Sequence, residues 1–247
     1  MISLPPGVSF AAAIEDPDLF APLFASRSWR RWRVFLKALF CERMTAWELS
    51  TYRHHTERVD PPIGAFREAA IICGRRGGKS RILALLAVYL AVFRDYSTFL
   101  APGEQPVVAI IAANRRQAAV LLRYVSGLLK AVPLLAPLLV DELAESVRLA
   151  NGVVIEIHTA TIASPRGRTF IAILADEIAF WPATAEAANP DAEVIASVRP
   201  GLASIPNSLL LMASSPYWQK GVCLTPSAVI GGRLARGYWF GAARLPR

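Results

Sequence analysis

The stretch Ala70-Ile-Ile-Cys-Gly-Arg-Arg-Gly-Gly-Lys-Ser80 is the part of this 247-residue chain that decides its fold. A short apolar run leads into a glycine-rich turn, and an apolar helical pattern over 81–95 follows at once. Strand, glycine loop, Lys-Ser and helix form the order of a phosphate-binding loop, G-x-x-x-x-G-K-[ST]. Cys73 stands where that pattern has its first glycine.

The loop residues predict how a nucleoside triphosphate would be held. Glycines let backbone N–H groups converge on phosphate oxygens, and the helix N-terminus adds partial positive charge. Lys79 is expected on the β- and γ-phosphates, and the Ser80 hydroxyl on Mg²⁺. The expected nucleotide-binding set is therefore Gly74, Gly77, Gly78, Lys79 and Ser80. The alternative is a basic turn that merely precedes a helix.

Composition excludes several classes of protein. The chain is 54% hydrophobic, but its longest near-continuous apolar run, 82–93, is too short to cross a bilayer. The N-terminus lacks the basic and apolar regions of a signal peptide. Three scattered cysteines indicate neither a disulfide framework nor a zinc site. We expect a cytoplasmic protein that has no membrane partner.

Charge is unevenly distributed along the chain. The formal net charge is +8, which suits a polyanionic partner. The last acidic residue is Glu193, and the basic residues beyond it are Arg199, Lys220, Arg233, Arg236, Arg244 and Arg247.

A second motif ends in two carboxylates. The hydrophobic run from Phe170 leads directly into Asp176-Glu177, and ligands collect at the carboxyl ends of strands in parallel α/β sheets. We expect Asp176 to hold Mg²⁺, directly or through water. We expect Glu177 to orient and deprotonate the attacking water. The alternative is an acidic pair in a turn.

Further strands separate these two motifs in the chain. One is the apolar run 106–112, and two more, 146–149 and 153–157, flank the turn dipeptide Asn151-Gly152. This spacing, with glutamate beside aspartate, favours the P-loop ATPases that have an inserted central strand and a catalytic glutamate. It disfavours kinases and GTPases.

A third motif follows the buried strand pattern 209–213. Ser214-Ser215-Pro216 would place the Ser215 hydroxyl where it senses the γ-phosphate. An ordinary Ser-Pro turn is the alternative.

Positive charge for the transition state would come from one of two arginine pairs. These are Arg75 and Arg76 in the loop, and Arg166 and Arg168 before the Asp176 strand, which alternatively contact solvent or a nucleic-acid backbone.

The first 60 residues are predicted to be helical. The segment 28–40 alternates aromatic and basic residues, which we interpret as a core-facing helix rather than a nucleic-acid surface. Thr45 and Glu48 form a capping-box pattern at the start of a helix over 44–60. Pro61-Pro62 then marks a boundary.

The motifs taken together resemble the ATPase half of a tailed-phage terminase large subunit, the DNA-packaging motor. The resemblance covers roughly residues 8–221 and rests on the order and spacing of five segments. They are Cys73–Ser80, Arg166-Gly-Arg-Thr169, Ile173–Trp181, Asn189-Pro-Asp191 and Ala213-Ser-Ser-Pro216.

This resemblance implies a three-layer αβα P-loop NTPase of the RecA-like (ASCE) type, with a mainly parallel central sheet. The regions expected are a helical N-terminal segment (1–60), a P-loop ATPase core (61–219) and an irregular basic tail (220–247). It also implies ATP and Mg²⁺ as ligands, double-stranded DNA as partner, and a homo-oligomeric ring on a portal with a small terminase subunit. Adenine contacts are expected within 45–60, and Arg75 or Arg76 is expected to complete the site.

One departure from the family concerns its second domain. Terminase large subunits resemble an ATPase followed by an RNase H-like nuclease with clustered aspartates, but no acidic residue follows Glu193 here. We therefore expect no nuclease activity and a truncated or prophage-remnant copy. Two other functions stay open: a catalytically inactive DNA- or procapsid-binding remnant, and a helicase-like ATPase.

Overall fold

A computed structural model describes residues 7–160, 167–181 and 190–215, together with the backbone of 238–243. The α-helices in these ranges are α1 (Phe10–Glu15), α2 (Ala21–Phe24), α3 (Arg30–Leu39), α4 (Ala46–Thr56), α5 (Lys79–Phe93), α6 (Arg115–Ala131) and α7 (Pro190–Val198). The strands are β1 (Glu68–Cys73), β2 (Pro106–Ala112), β3 (Leu139–Glu142), β4 (Ser146–Leu149), β5 (Val154–Thr159), β6 (Thr169–Asp176), β7 (Leu209–Ser214) and β8 (Tyr238–Ala243).

All eight strands belong to one sheet, in the order β3-β4-β5-β2-β6-β7-β1-β8. The five central strands, from β5 to β1, run parallel to one another. The strands β3, β4 and β8 pair antiparallel at the two margins. The predicted mainly parallel α/β sheet is confirmed, and so is the inserted strand, since β7 separates β1 from β6.

The central strands are apolar throughout because both faces of the sheet are covered, as is usual for parallel sheets. One face packs against α5 and α6 in a large core that contains Val108, Ile110 and Leu174. The other face packs against α7 and the 3-10 helix that follows it, in a core that contains Ala109 and Ile173. These are the three layers expected from the sequence.

The N-terminal helices add their apolar sides to the core around α5. Phe10 meets Tyr89 edge-on, and Phe20 meets Phe93 in the same way. Trp32 is buried in α3, as predicted for a core-facing helix, while the neighbouring Arg31 is exposed. The capping box predicted for α4 is present in both directions. Among the described residues, no helix is long and apolar enough to cross a membrane.

The sequence patterns did not predict two of the strands. One is β3, whose residues are alternately half-buried and exposed. The tail beyond 220 was predicted to be irregular, yet its residues 238–243 form β8 against β1. The rest of that tail lies outside the described residues.

The sheet topology brings three chemically important strand ends to one edge. In the register of the central strands, Asp176 pairs with Ala213, and Ala213 pairs with Ile71 on the far side. The carboxyl ends of β6, β7 and β1 therefore stand side by side. The predicted phosphate loop begins directly after β1 at this same edge.

Candidate functional site

The loop between β1 and α5 is a tight turn with two left-handed residues. The Gly77 N–H donates to the Gly74 carbonyl at 3.1 Å. Arg76 has φ +60°, and Gly78, which caps the start of α5, has φ +89°. A left-handed φ costs glycine nothing sterically, so the glycine at 78 suits the start of α5.

Cys73 occupies the position of the missing glycine without disturbing this turn. It is the last residue of β1 and is fully buried. Its φ is not positive, so the position does not need the conformational freedom of glycine. Burial raises the pKa of the Cys73 thiol to about 11, while the positive charge of Lys79 opposes the rise. The neutral thiol therefore acts as a small apolar group.

Lys79, the first residue of α5, is buried and points at the carboxyl ends of the strands. Its Nζ lies 3.3 Å from the Cys73 carbonyl oxygen, 2.9 Å from Ser215 Oγ and 3.2 Å from Glu177 Oε1. Three segments that are remote in the sequence thus meet at one ammonium group. The structure brings together the lysine, the glutamate and the serine that were predicted from separate motifs.

Glu177 reaches this cluster from an unusual backbone conformation. Its φ is +50° and its ψ is +43°, in the left-handed region. The carboxylate accepts two hydrogen bonds from Ser215, from the backbone N–H at 2.8 Å and from the hydroxyl at 2.9 Å. The side chain is 24% exposed, so water can reach it.

Asp176 ends β6 and is almost fully buried. Its Oδ1 has no hydrogen-bond partner within the described part of the chain. Burial raises the pKa of Asp176 to about 6, the negative charge of Glu177 adds to the rise, and Lys79 opposes it. The Trp181 indole N–H donates to the Asp176 carbonyl oxygen at 3.0 Å, which fixes the backbone at the strand end.

An unpartnered carboxylate oxygen fits a divalent cation. Mg²⁺ typically takes one or two carboxylates, substrate phosphates and water rather than a closed protein cage. The described residues contain no group of three or more His, Cys, Asp or Glu side chains that could hold a metal alone. Asp176 with the Ser80 hydroxyl, at the start of α5, agrees with that pattern.

The predicted arginines fall in different places. Arg75 and Arg76 are exposed on the loop, beside the cluster. Arg168 directly precedes β6, whereas Asp176 ends it, so roughly 26 Å of extended chain separates the two residues. The Arg168 guanidinium pairs with Glu156 of β5 at 2.9 Å. Arg168 therefore does not join the Lys79 cluster. Arg166 lies outside the described residues.

The segment 45–60, where adenine contacts were expected, forms α4 and the chain that follows it. Residues 58–64 and Phe66 line an open cavity of about 410 Å³. Phe66 precedes β1, whereas the phosphate loop follows it, so this cavity and the loop lie at opposite ends of β1. The adenine contacts remain a prediction.

Sequence reasoning missed two aromatic residues that touch the loop. The Trp32 indole N–H donates to the Gly77 carbonyl at 2.8 Å, and the Trp29 ring lies against Gly78. The pattern around both tryptophans indicated core packing and contained no signal for a loop contact.

No protein-family model and no curated protein matches this chain. Solved structures do resemble it. The HK97 bacteriophage large terminase has a TM-score of 0.48 at 16% identity over 76% of this chain and 38% of its own. The large terminase ATPase domain of Thermus phage P74-26 scores 0.45 at 17% identity over 74% of this chain and 68% of its own. A variant of that domain scores 0.46 at 17% identity, over 75% and 70%.

This chain spans well under half the length of the HK97 protein. The α/β fold of this chain is shown by its own sheet, whose five central strands run parallel.

Proposed function

We propose that this protein hydrolyses ATP and that hydrolysis drives the movement of double-stranded DNA, as in a phage packaging motor. The observation that carries the ATPase assignment is the meeting of Lys79 with Glu177 and Ser215 at the end of a phosphate loop. A buried lysine between a loop, a carboxylate and a hydroxyl suits the γ-phosphate of a nucleotide.

Phosphate binding would use the loop and the helix behind it. The α5 helix is 15 residues long, and its first N–H groups and dipole favour an anion at its N-terminus. Lys79 would exchange its present contacts for phosphate oxygens. That exchange would release Glu177 from its ion pair.

Asp176 and Ser80 would hold the magnesium ion that accompanies ATP. Bound there, the ion would neutralise charge on the β- and γ-phosphate oxygens. The support in this chain is the buried Asp176 Oδ1 without a partner among the described residues.

Glu177 would act as the general base. Two hydrogen bonds from Ser215 hold its carboxylate, and its partial exposure admits the water that it would orient and deprotonate. Ser215 touches both Lys79 and Glu177, so it would sense whether the γ-phosphate is present and pass the change to β7.

The exposed loop arginines, Arg75 and Arg76, would supply charge to the transition state in this chain or in a neighbouring subunit. Arg168 is 45% exposed in its pair with Glu156, and with Arg166 it would contact DNA phosphates.

The packaging role rests on the order of the sequence motifs and on the net charge of +8. Double-stranded DNA, further copies in a ring, a portal and a small terminase subunit are the proposed partners.

The test is phosphate release from ATP with and without linear double-stranded DNA. We expect turnover that rises with DNA and disappears in Lys79→Ala. Lys130→Ala is the matched control, because Lys130 is exposed on α6 and pairs with Glu142. Equal turnover by Lys79→Ala and the control would contradict the site. ATP binding without turnover would favour the inactive DNA- or procapsid-binding alternative.

A further inference from the structure

The phosphate loop is contacted from outside the ATPase core by two tryptophans. Trp29 ends a short 3-10 helix, Arg27–Trp29, and Trp32 lies in the first turn of α3. The Trp32 indole N–H donates to the Gly77 carbonyl at 2.8 Å across 45 residues of chain. Both residues belong to the helices that precede β1, so this segment reaches the candidate nucleotide site directly.

The Trp32 bond constrains a peptide group that binds phosphate. The Gly77 carbonyl and the Gly78 N–H belong to one planar trans peptide, so they point in opposite directions. Holding the carbonyl toward Trp32 turns the Gly78 N–H away from Trp32. Between two glycines this peptide would otherwise flip easily, because both residues tolerate either sign of φ.

Trp29 closes the same side of the loop. A Cβ added to Gly78 would come within 2.7 Å of the Trp29 ring. The ring is itself held between neighbours, edge-on to Phe24 at 5.1 Å and beneath the Arg81 guanidinium at 4.9 Å. Arg81 follows the proposed magnesium ligand Ser80, so the contact extends from the loop into the first turn of α5.

We propose that Trp29 and Trp32 are positioning residues that hold the Gly77–Gly78 peptide in its phosphate-binding orientation. This inference deepens the proposed function and rests on it. The N-terminal helices would then tune the affinity of the loop for the triphosphate. Neither tryptophan touches the reacting atoms.

The test measures loop order and ligand affinity separately. Trp32→Phe keeps an aromatic ring and removes the indole N–H. Tyr124→Phe is the control, since Tyr124 is 41% exposed on α6, away from the loop and from the segment 45–60 where adenine contacts are predicted. Hydrogen exchange is followed in peptides covering 74–80, with β2 as an internal reference because its strand is buried throughout. Affinity is measured for ATP and for tripolyphosphate, which shares the phosphates and lacks the nucleoside.

We expect Trp32→Phe to speed exchange at 74–80 and not in β2. We expect it to weaken ATP and tripolyphosphate binding by the same factor, about fivefold, as the loss of one hydrogen bond implies. Tyr124→Phe should change neither quantity. Trp29→Ala serves as a second variant, and we expect it to speed exchange at 74–80 as Trp32→Phe does.

Two results would overturn the proposal. One is an unchanged rate of hydrogen exchange at 74–80 in both Trp32→Phe and Trp29→Ala, or a rate that increases there only as much as it does in β2. The other is a loss of affinity for ATP that tripolyphosphate does not share. Failure of the proposed function looks different, because the unsubstituted protein would then bind neither ligand while the exchange measurement still decides the role of the tryptophans.

Discussion

Glu177 is one of four residues other than glycine that have a positive φ in the described part of the chain. Its φ is +50°, in the left-handed region that residues other than Gly, Asn and Asp seldom occupy. Such residues cost on the order of 1–3 kcal/mol and cluster at functional sites. Here the conformation aims the carboxylate at Ser215 and Lys79. The strained backbone is consistent with a carboxylate that is held for chemistry.

Gly78 offers a test of the loop geometry. Gly78→Ala should lower the free energy of unfolding by about 1–3 kcal/mol, because alanine resists φ +89° and meets the Trp29 ring. In the double variant with Trp29→Ala, the clash with the ring is removed, whereas the cost of the left-handed φ stays. The effects of the two substitutions on the free energy of unfolding should therefore differ from additivity by about 0.5 kcal/mol or more. Denaturant unfolding of the two single variants and the double variant measures this. If the changes in the free energy of unfolding simply add, the Trp29 ring does not clash with a side chain at position 78.

At this scale the sequence singled out candidate residues but did not indicate all the contacts around them. Lys79, Glu177 and Ser215 were identifiable because each follows a strand pattern with a polar group of known chemistry. The Trp32–Gly77 bond was not, because an indole on an apolar helix face has the pattern of a core residue whatever its N–H contacts. Positive φ at Glu177 also has no signature in the residue itself.

At the scale of elements, β7 explains why the site can be coupled to the rest of the sheet. It lies between the strand that leads into the loop and the strand that ends in Asp176. Ser215, the residue directly after β7, contacts both Lys79 and Glu177. The order of the strands along the chain does not indicate this central position, because β7 follows both β1 and β6 in the sequence. Apolar runs predicted the central strands well. The marginal strands are less regular in sequence, because β3 ends in Asp141 and Glu142 and β8 has a glycine, Gly241, among its apolar residues.

At the opposite end of β1, a buried carboxylate pairs with an exposed arginine, and this ion pair tests how the layers are joined. Glu68 is 3% exposed, and its carboxylate meets Arg199, in the helix after α7, at 2.6 Å. Burial raises the pKa of Glu68 above its ordinary value, and Arg199 opposes the rise. Arg199→Ala should cost about 1–3 kcal/mol near neutral pH by leaving a buried charge unpaired.

The pH dependence of that loss has a definite sign. A carboxyl whose folded pKa is raised destabilises the fold as pH increases through that pKa. The loss in Arg199→Ala should therefore be larger near neutral pH than near the ordinary glutamate pKa of 4.5, where Glu68 can take up a proton. Urea unfolding at both pH values checks this, with Arg199→Lys as the charge-retaining control. A loss independent of pH would mean that Glu68 does not sense Arg199.

At the scale of the whole molecule, the N-terminal helices share one core with the layers around the central sheet. Phe10, Phe20, Phe24 and Trp32 belong to the same cluster as the buried side of α5. The sequence predicted a helical segment over 1–60 but contained no information on what it covers. Packing between remote segments depends on three-dimensional fit, which residue patterns do not encode.

A fragment beginning at residue 61 tests whether 1–60 is separable. We expect this fragment to lose cooperative unfolding or to aggregate, because it would expose the side of α5 that contains Tyr89 and Phe93. Size-exclusion chromatography and thermal unfolding compare it with the full chain. A monomeric fragment that unfolds as cooperatively as the full chain would show that the first 60 residues form an independent unit.

The most direct test of the proposed ATP site separates binding from hydrolysis at Glu177. Glu177→Gln keeps the size of the side chain and an oxygen that can accept from Ser215, but it removes the base. We predict nearly unchanged ATP affinity and a fall in the turnover rate of about 100-fold or more, the usual contribution of a general base. Turnover equal to that of the unsubstituted protein would contradict the account, because the chemistry would then not pass through this carboxylate.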